Sequence, residues 1–218
     1  MMEITERQQN FTLLRLLFIQ KSRELSEFIA ARIDSRAKDV QWQICHDLEW
    51  CSDPKAFYEK EIPFRIETQV RKDLEQITNV ITQQYAANLD WLQKQLKSMG
   101  YQTFYVPFTG YNVTGPNYLQ EKLNLIDIHK TRLYSRLGTL FVALCLSGFG
   151  LGAFVGSMLC GTGAEEILLS RSKTSRERIK KVVPSIIDNY RLQMKARLLG
   201  IVAEVDTNIM NELNNIQL

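Results

Sequence analysis

The chain has 218 residues, 45% of them apolar and 23% charged, which is enough to bury a sizeable core and excludes wholesale disorder. A formal charge of +3 is too near balance to mark a nucleic-acid binder, and no nucleic-acid partner is expected. The charge is unevenly placed. Lys130, Arg132 and Arg136 lie on one side of residues 137–164, and six bases with one acid lie on the other side in 171–181, leaving −5 for the rest of the chain. Residues 137–164 themselves contain no charged side chain.

Four cysteines, Cys45, Cys51, Cys145 and Cys160, are too few and too scattered for a disulfide framework. The first residues lack the basic start and small-residue cleavage site of a secretory signal, so a reducing cytosol is expected.

Residues 3–50 are predicted to be helical, with Phe11, Leu14, Leu17, Phe18, Leu25, Phe28, Ile29 and Ile33 mostly three or four apart. Asp53-Pro54 fits a cap followed by proline at the first helical position, and Pro63 restarts the pattern. Ile66, Val70, Leu74, Ile77, Ile81, Tyr85, Leu89, Leu92, Leu96 and Met99 then predict a helix of about 35 residues, roughly 50 Å long. Gly100 ends it. Residues 101–117 are aromatic, β-branched and rich in turn formers, which predicts a loop or short hairpin. The next helix is expected to open at Gly115-Pro116 and to carry Tyr118, Leu119, Leu123, Ile126, Leu133 and Leu137 into the uncharged segment. Beyond that segment Thr174-x-x-Glu177 fits a capping box. A last helix places Ile179, Val183, Ile187, Tyr190, Met194, Leu198, Ile201, Val205, Ile209, Leu213 and Ile216 on one stripe. Pro184 is expected to kink its first turns or to mark its true start.

The fold expected is all-α: an elongated bundle of long helices with a glycine-rich apolar helical hairpin at one end. Residues 1–136 form a helical stalk, 137–164 the apolar hairpin, and 165–218 a basic exit and a return helix of the same bundle.

Twenty-eight uncharged residues would make a straight helix of about 42 Å, longer than the ~30 Å hydrocarbon core of a bilayer. Seven of the eleven glycines lie here, and Gly148, Gly152 and Gly156 fall on one face, where helices can approach closely. The run Ser147–Gly152 is the weakest helical stretch and the expected turn. The side chains expected to enter lipid are Leu140, Phe141, Val142, Leu144, Leu146, Phe149, Leu151, Phe154, Val155, Met158 and Leu159. Headgroup contact is expected from Lys130, Arg132, Arg136, Arg171, Lys173, Arg176, Arg178, Lys180 and Lys181, each worth about 1 kcal/mol near an anionic surface. Basic flanks on both sides favour a re-entrant hairpin with both ends on the cytoplasmic face of a membrane. A single span with 165–218 in the cytoplasm is the alternative topology.

No phosphate-binding loop, G-x-S-x-G, H-E-x-x-H or paired CxxC motif is present. Cys45, His46 and Cys51 are too sparse for a metal site, and Glu165-Glu166 fits a helix start behind Thr162 better than an acid–base pair. No enzyme activity, cofactor or metal is expected. Trp42, Trp50 and Trp91 lie on predicted helices, where core or groove packing is their expected role. The aromatic loop 101–117 has no local lysine or arginine to support base stacking, so docking on the bundle or a partner protein is expected of it.

The segment Arg132-Leu-Tyr-Ser-Arg136, the apolar run from Leu140 to Ala164, the basic exit 170–184 and the long final helix resemble the C-terminal part of bacterial dynamin-like proteins. The resemblance covers roughly 130–215. It implies a helical trunk whose glycine-rich paddle inserts into lipid, with self-association through the stalk. The GTPase head of that family has no counterpart here, which implies a separate GTPase as partner. An α-helical pore-forming protein is the second reading, and a soluble helical adaptor that buries its apolar hairpin is the third.

Overall fold

Apolar residues recurring every three or four positions drive the first 50 residues into one helix, α1, Met2–Trp50. The computed structural model describes residues 2–111, 118–126, 128 and 172–216. After α1 come α2 (Pro54–Ala56), a π-helical turn (Phe57–Glu61), α3 (Ile62–Ser98), strands β1 (Tyr105–Tyr111) and β2 (Tyr118–Asn124), and α4 (Ser172–Asn215). The fold is all-α, with one two-stranded hairpin among the described residues.

The helix ends follow local chemistry. Asp53 Oδ1 accepts from the backbone N–H of Lys55 at 3.0 Å and of Ala56 at 3.1 Å, satisfying donors that the first turn of α2 leaves open. Pro63 follows directly on the π-helical turn, in which Ile62 N–H bonds back to Phe57 O. That wide turn suits a residue that lacks an N–H and crowds the carbonyl four positions earlier. Gly100 has φ +87°, a left-handed conformation, and closes α3 with bonds from Gly100 N–H to Lys97 O (3.0 Å) and Tyr101 N–H to Leu96 O (3.1 Å).

The described residues fall into two compact units. One takes those of 1–29, 77–147 and 198–218, and the other those of 30–76 and 148–197. In the first unit, Phe11, Leu14, Phe18 and Leu25 of α1, Ile81, Leu89, Leu92 and Leu96 of α3, and Val202, Ile209 and Leu213 of α4 are buried. The antiparallel hairpin sets Tyr105 opposite Asn124 and Tyr111 opposite Tyr118. Its base is tied down by Asn124 Oδ1, which accepts from Phe104 N–H and Ile126 N–H, and by Gln93 Nε2, which donates to Ile126 O at 2.6 Å. Arg15 on α1 donates to Leu213 O at 2.8 Å, so a cation from another helix meets the carbonyl end of α4.

In the second unit, Ile33, Ala37, Val40, Ile44 and Leu48 of α1 are buried along with Ile62, Ile66 and Val70 of α3 and Ile179, Val183, Ile187 and Met194 of α4. Asp34 meets Lys195 at 2.7 Å and Glu49 meets Lys180 at 3.0 Å, so α1 and α4 run antiparallel in this unit. Arg36 to Asp73 and Arg65 to Asp47 make α1 antiparallel to α3 as well. Helices α3 and α4 are therefore parallel to each other here.

Four expectations are corrected. Residues 118–124 form a strand and not the opening of a helix. Their apolar spacing fits both periods, and pairing with the β-branched and aromatic 105–111 satisfies the facing backbone groups of both. Helix α4 is described from Ser172, so Thr174 lies within it and does not cap it, and Pro184 sits inside the helix, which removes the second of its two expected roles, that of marking the start. Leu17 and Phe28 are exposed, each one residue and hence 100° away from the buried Phe18 and Ile29. The expected apolar hairpin 137–164 lies outside the described residues.

Two glycines give opposite expectations. Gly100→Ala should lower stability by about 1–2 kcal/mol, because a Cβ strains the left-handed conformation even with open space around it. Gly200, inside α4 with nothing near its Cβ position, should tolerate alanine and gain about 0.5–1 kcal/mol. Urea unfolding of the two variants measures both signs.

Candidate functional site

The expected lipid-inserting residues from Leu140 to Leu159, the glycines Gly148, Gly152 and Gly156, and the bases Lys130, Arg132, Arg136 and Arg171 all lie outside the described residues. The described part of the expected site is the basic beginning of α4. Lys173 falls in its first turn. The Arg176 guanidinium donates to the Cys51 carbonyl, just past the end of α1. One turn on, Lys180 Nζ lies 3.0 Å from Glu49 Oε1, and this hydrogen bond and charge raise the Lys180 pKa. Arg178 and Lys181 are exposed. The start of α4 is thus fixed beside the end of α1 by two of its bases, with others facing solvent.

The same end of α1 overturns one sequence expectation. Trp42 and Trp50 are not packed in a core or groove, being 67% and 80% exposed. The buried stripe there runs Val40, Ile44, Leu48, which puts positions 42, 46 and 50 on the opposite face. His46, between the two indoles, stacks on Trp42 with ring centroids 5.2 Å apart. Trp91 is half-buried, with Lys21 Nζ 5.2 Å from its ring centroid.

The second unit also holds a buried carboxylate, and the first a half-buried one, that sequence pattern did not single out. In the second unit Asp73, 1% exposed, accepts from Arg36 Nε (2.8 Å) and Gln69 Nε2 (2.7 Å) on Oδ1 and from Tyr190 Oη (2.6 Å) on Oδ2. In the first unit Asp206 accepts from Tyr85 Oη at 2.7 Å and from the Ser22 hydroxyl. Burial and the adjacent carboxylates push both tyrosines well above the usual phenol range. Burial also raises the Asp206 pKa, against the lowering effect of its two hydrogen bonds. A spacing of three or four from apolar neighbours could have placed Asp73 (after Val70) and Asp206 (before Ile209) on the inner stripes.

These centres are braced, not open. A cavity of about 140 Å³ lined by Val40, Ile44, Phe64, Arg65 and Gln69 is below the range of small-molecule sites. Burial raises the Cys45 thiol pKa, which suppresses the thiolate needed for nucleophilic chemistry. Among the described residues no group of three or more His, Cys, Asp or Glu side chains could hold a metal ion. Among the same residues no helix is long and apolar enough to cross a membrane. No family model matches the chain, and no curated protein or solved structure matches it either.

Tyr190→Phe removes one donor from buried Asp73 and should cost about 1–3 kcal/mol, read as a lower urea midpoint with an unchanged slope. Asp206 should leave a pH signature. Its folded pKa lies above the value of about 3.9 in an unfolded chain, so the folded state binds the proton more tightly. Its stabilising contribution is present at low pH and is lost as pH rises through the folded pKa. Urea unfolding of the wild type and Asp206→Asn at about pH 7 and about pH 5 should therefore show the difference moving in favour of the wild type on acidification. A difference that is flat or moves the other way would mean the Asp206 charge carries no burial penalty.

Proposed function

We propose that this chain is a non-enzymatic, membrane-associated helical protein that lowers residues 137–164 into one leaflet from the cytoplasmic face and self-associates through its helices. The observation that carries the reading is the run of 28 residues without a charged side chain, flanked by bases on both sides. Leu140, Phe141, Leu144, Phe149, Leu151 and Phe154 would supply the inserted surface, and the row Gly148, Gly152 and Gly156 would pack the two arms together. The role is that of a dynamin-like stalk and paddle in membrane remodelling beside a separate GTPase. Anionic lipid is the favoured surface, because Lys130, Arg132, Arg136 and the bases of 171–181 all lie close to the segment in sequence.

The described residues support this reading in one respect. The exit from the uncharged segment leads into a helix start that is anchored to α1 through Arg176 and Lys180, so force on the segment would pass into the helices.

Flotation of the purified chain with anionic and neutral vesicles tests it. Co-flotation with anionic vesicles should survive high salt, which screens surface charge but not insertion. Phe149→Asp with Leu151→Asp should abolish it, since each Asp costs about 2.5–3.5 kcal/mol at the depth of the hydrocarbon centre, while helicity is unchanged. Undiminished flotation of the double variant would refute insertion by this segment. Release of a trapped dye at low protein-to-lipid ratio would favour a pore over a wedge.

A further inference from the structure

We infer that Trp42 and Trp50, together with the basic first turns of α4, form a second lipid-contacting surface that seats the second unit at the headgroup level of an anionic membrane. The inference rests on the insertion reading for 137–164 but concerns other residues and has its own readout.

The two indoles are 67% and 80% exposed, on the face of α1 away from the buried Val40, Ile44 and Leu48. They lie eight residues apart, two turns and about 12 Å along one face of α1. The surrounding side chains on that stretch, Lys38, Asp39, Gln43, His46 and Glu49, are polar and exposed. A dry protein interface needs a contiguous apolar centre with charge excluded from it, and two indoles set among charged groups do not supply one. An indole ring is amphipathic, with an apolar body and one N–H donor. That chemistry suits the boundary between water and acyl chains, where tryptophan is enriched.

Charge points to the same occupant. The Arg176 guanidinium on the Cys51 carbonyl brings the start of α4 beside the residue that follows Trp50. Lys180 pairs with Glu49 and so neutralises the carboxylate that precedes Trp50. Asp53, the other acid of this turn, is occupied as the cap of α2. Residues 49–55 and 172–181 together carry a net charge of +3. In sequence, seven residues, 165–171, separate Ala164 from the first residue of α4. A membrane that receives 137–164 would therefore lie within the reach of seven residues, at most about 25 Å, from the start of α4.

The test uses the full chain carrying Trp91→Phe, which leaves Trp42 and Trp50 as its only tryptophans. Phosphatidylcholine vesicles with and without phosphatidylserine are the probes. With phosphatidylserine the emission should shift to the blue and be quenched more by shallow than by deep brominated acyl chains. Trp42→Ala and Trp50→Ala should each weaken partitioning roughly tenfold without touching the core. Lys181→Gln should weaken it about fivefold. Co-flotation with no change in emission would overturn the inference and leave the insertion reading standing. A blue shift that persists in Phe149→Asp with Leu151→Asp would keep the indole contact and show that it does not depend on the uncharged segment. A shift that needs no vesicles and grows with protein concentration would assign the surface to a second copy of the chain and overturn the inference. Absence of both flotation and shift would overturn it as well.

Discussion

A carboxylate taken from water into a helical core must be met there by hydrogen-bond donors, and that requirement fixes how these helices can pack. In the second unit Asp73 of α3 is held by Arg36 of α1 and Tyr190 of α4. Sliding α4 by one residue would move Tyr190 by about 1.5 Å along the axis and 100° around it, out of reach of the carboxylate. A slip of seven residues would keep an apolar stripe on the core, where one leucine can replace another, but would still take Tyr190 away from the carboxylate. The first unit uses the same pairing with the roles exchanged, the acid on α4 and the tyrosine on α3. Its donors, Ser22 and Tyr85, are neutral hydroxyls, which is why burial prevails and the Asp206 pKa rises.

Much of the helical frame is legible in the sequence because it is written in local chemistry. The limits of α1 and α3 follow from apolar period, the Asp53 cap and Gly100, all short-range signals that a neighbouring segment does not alter. The failures lie where a distant partner decides. Residues 118–124 carry an apolar spacing that fits a helix, and only the presence of 105–111 across the hairpin makes them a strand. Thr174 has the pattern of a cap, yet the helix extends two residues further toward Ser172, and Pro184 is accommodated inside it.

The candidate site divides in the same way. The uncharged segment and its basic borders are visible as composition, so the expectation of lipid contact needs no structure. What composition could not give is the orientation of Trp42 and Trp50. Tryptophan on an amphipathic helix is more often packed than exposed, and only the phase of Val40, Ile44 and Leu48 places the indoles outward. Nor could composition reveal that Lys180 and Arg176 are spent partly on α1, on Glu49 and the Cys51 carbonyl.

The antiparallel pairing of α1 with α4 has a consequence for how the chain acquires its structure. Arg15 meets a carbonyl 198 residues away, Asp34 a lysine 161 residues away, and Glu49 a lysine 131 residues away. Helical proteins usually fold fast because their contacts are local, but here the first helix completes its packing only with the last. At about 5–20 residues per second of synthesis, the apolar stripe of α1 leaves the ribosome roughly 10–30 s before α4 is complete. During that interval α4 is not yet there to cover its part of the α1 stripe. Completion of the packing around α1 thus waits for the 44-residue α4.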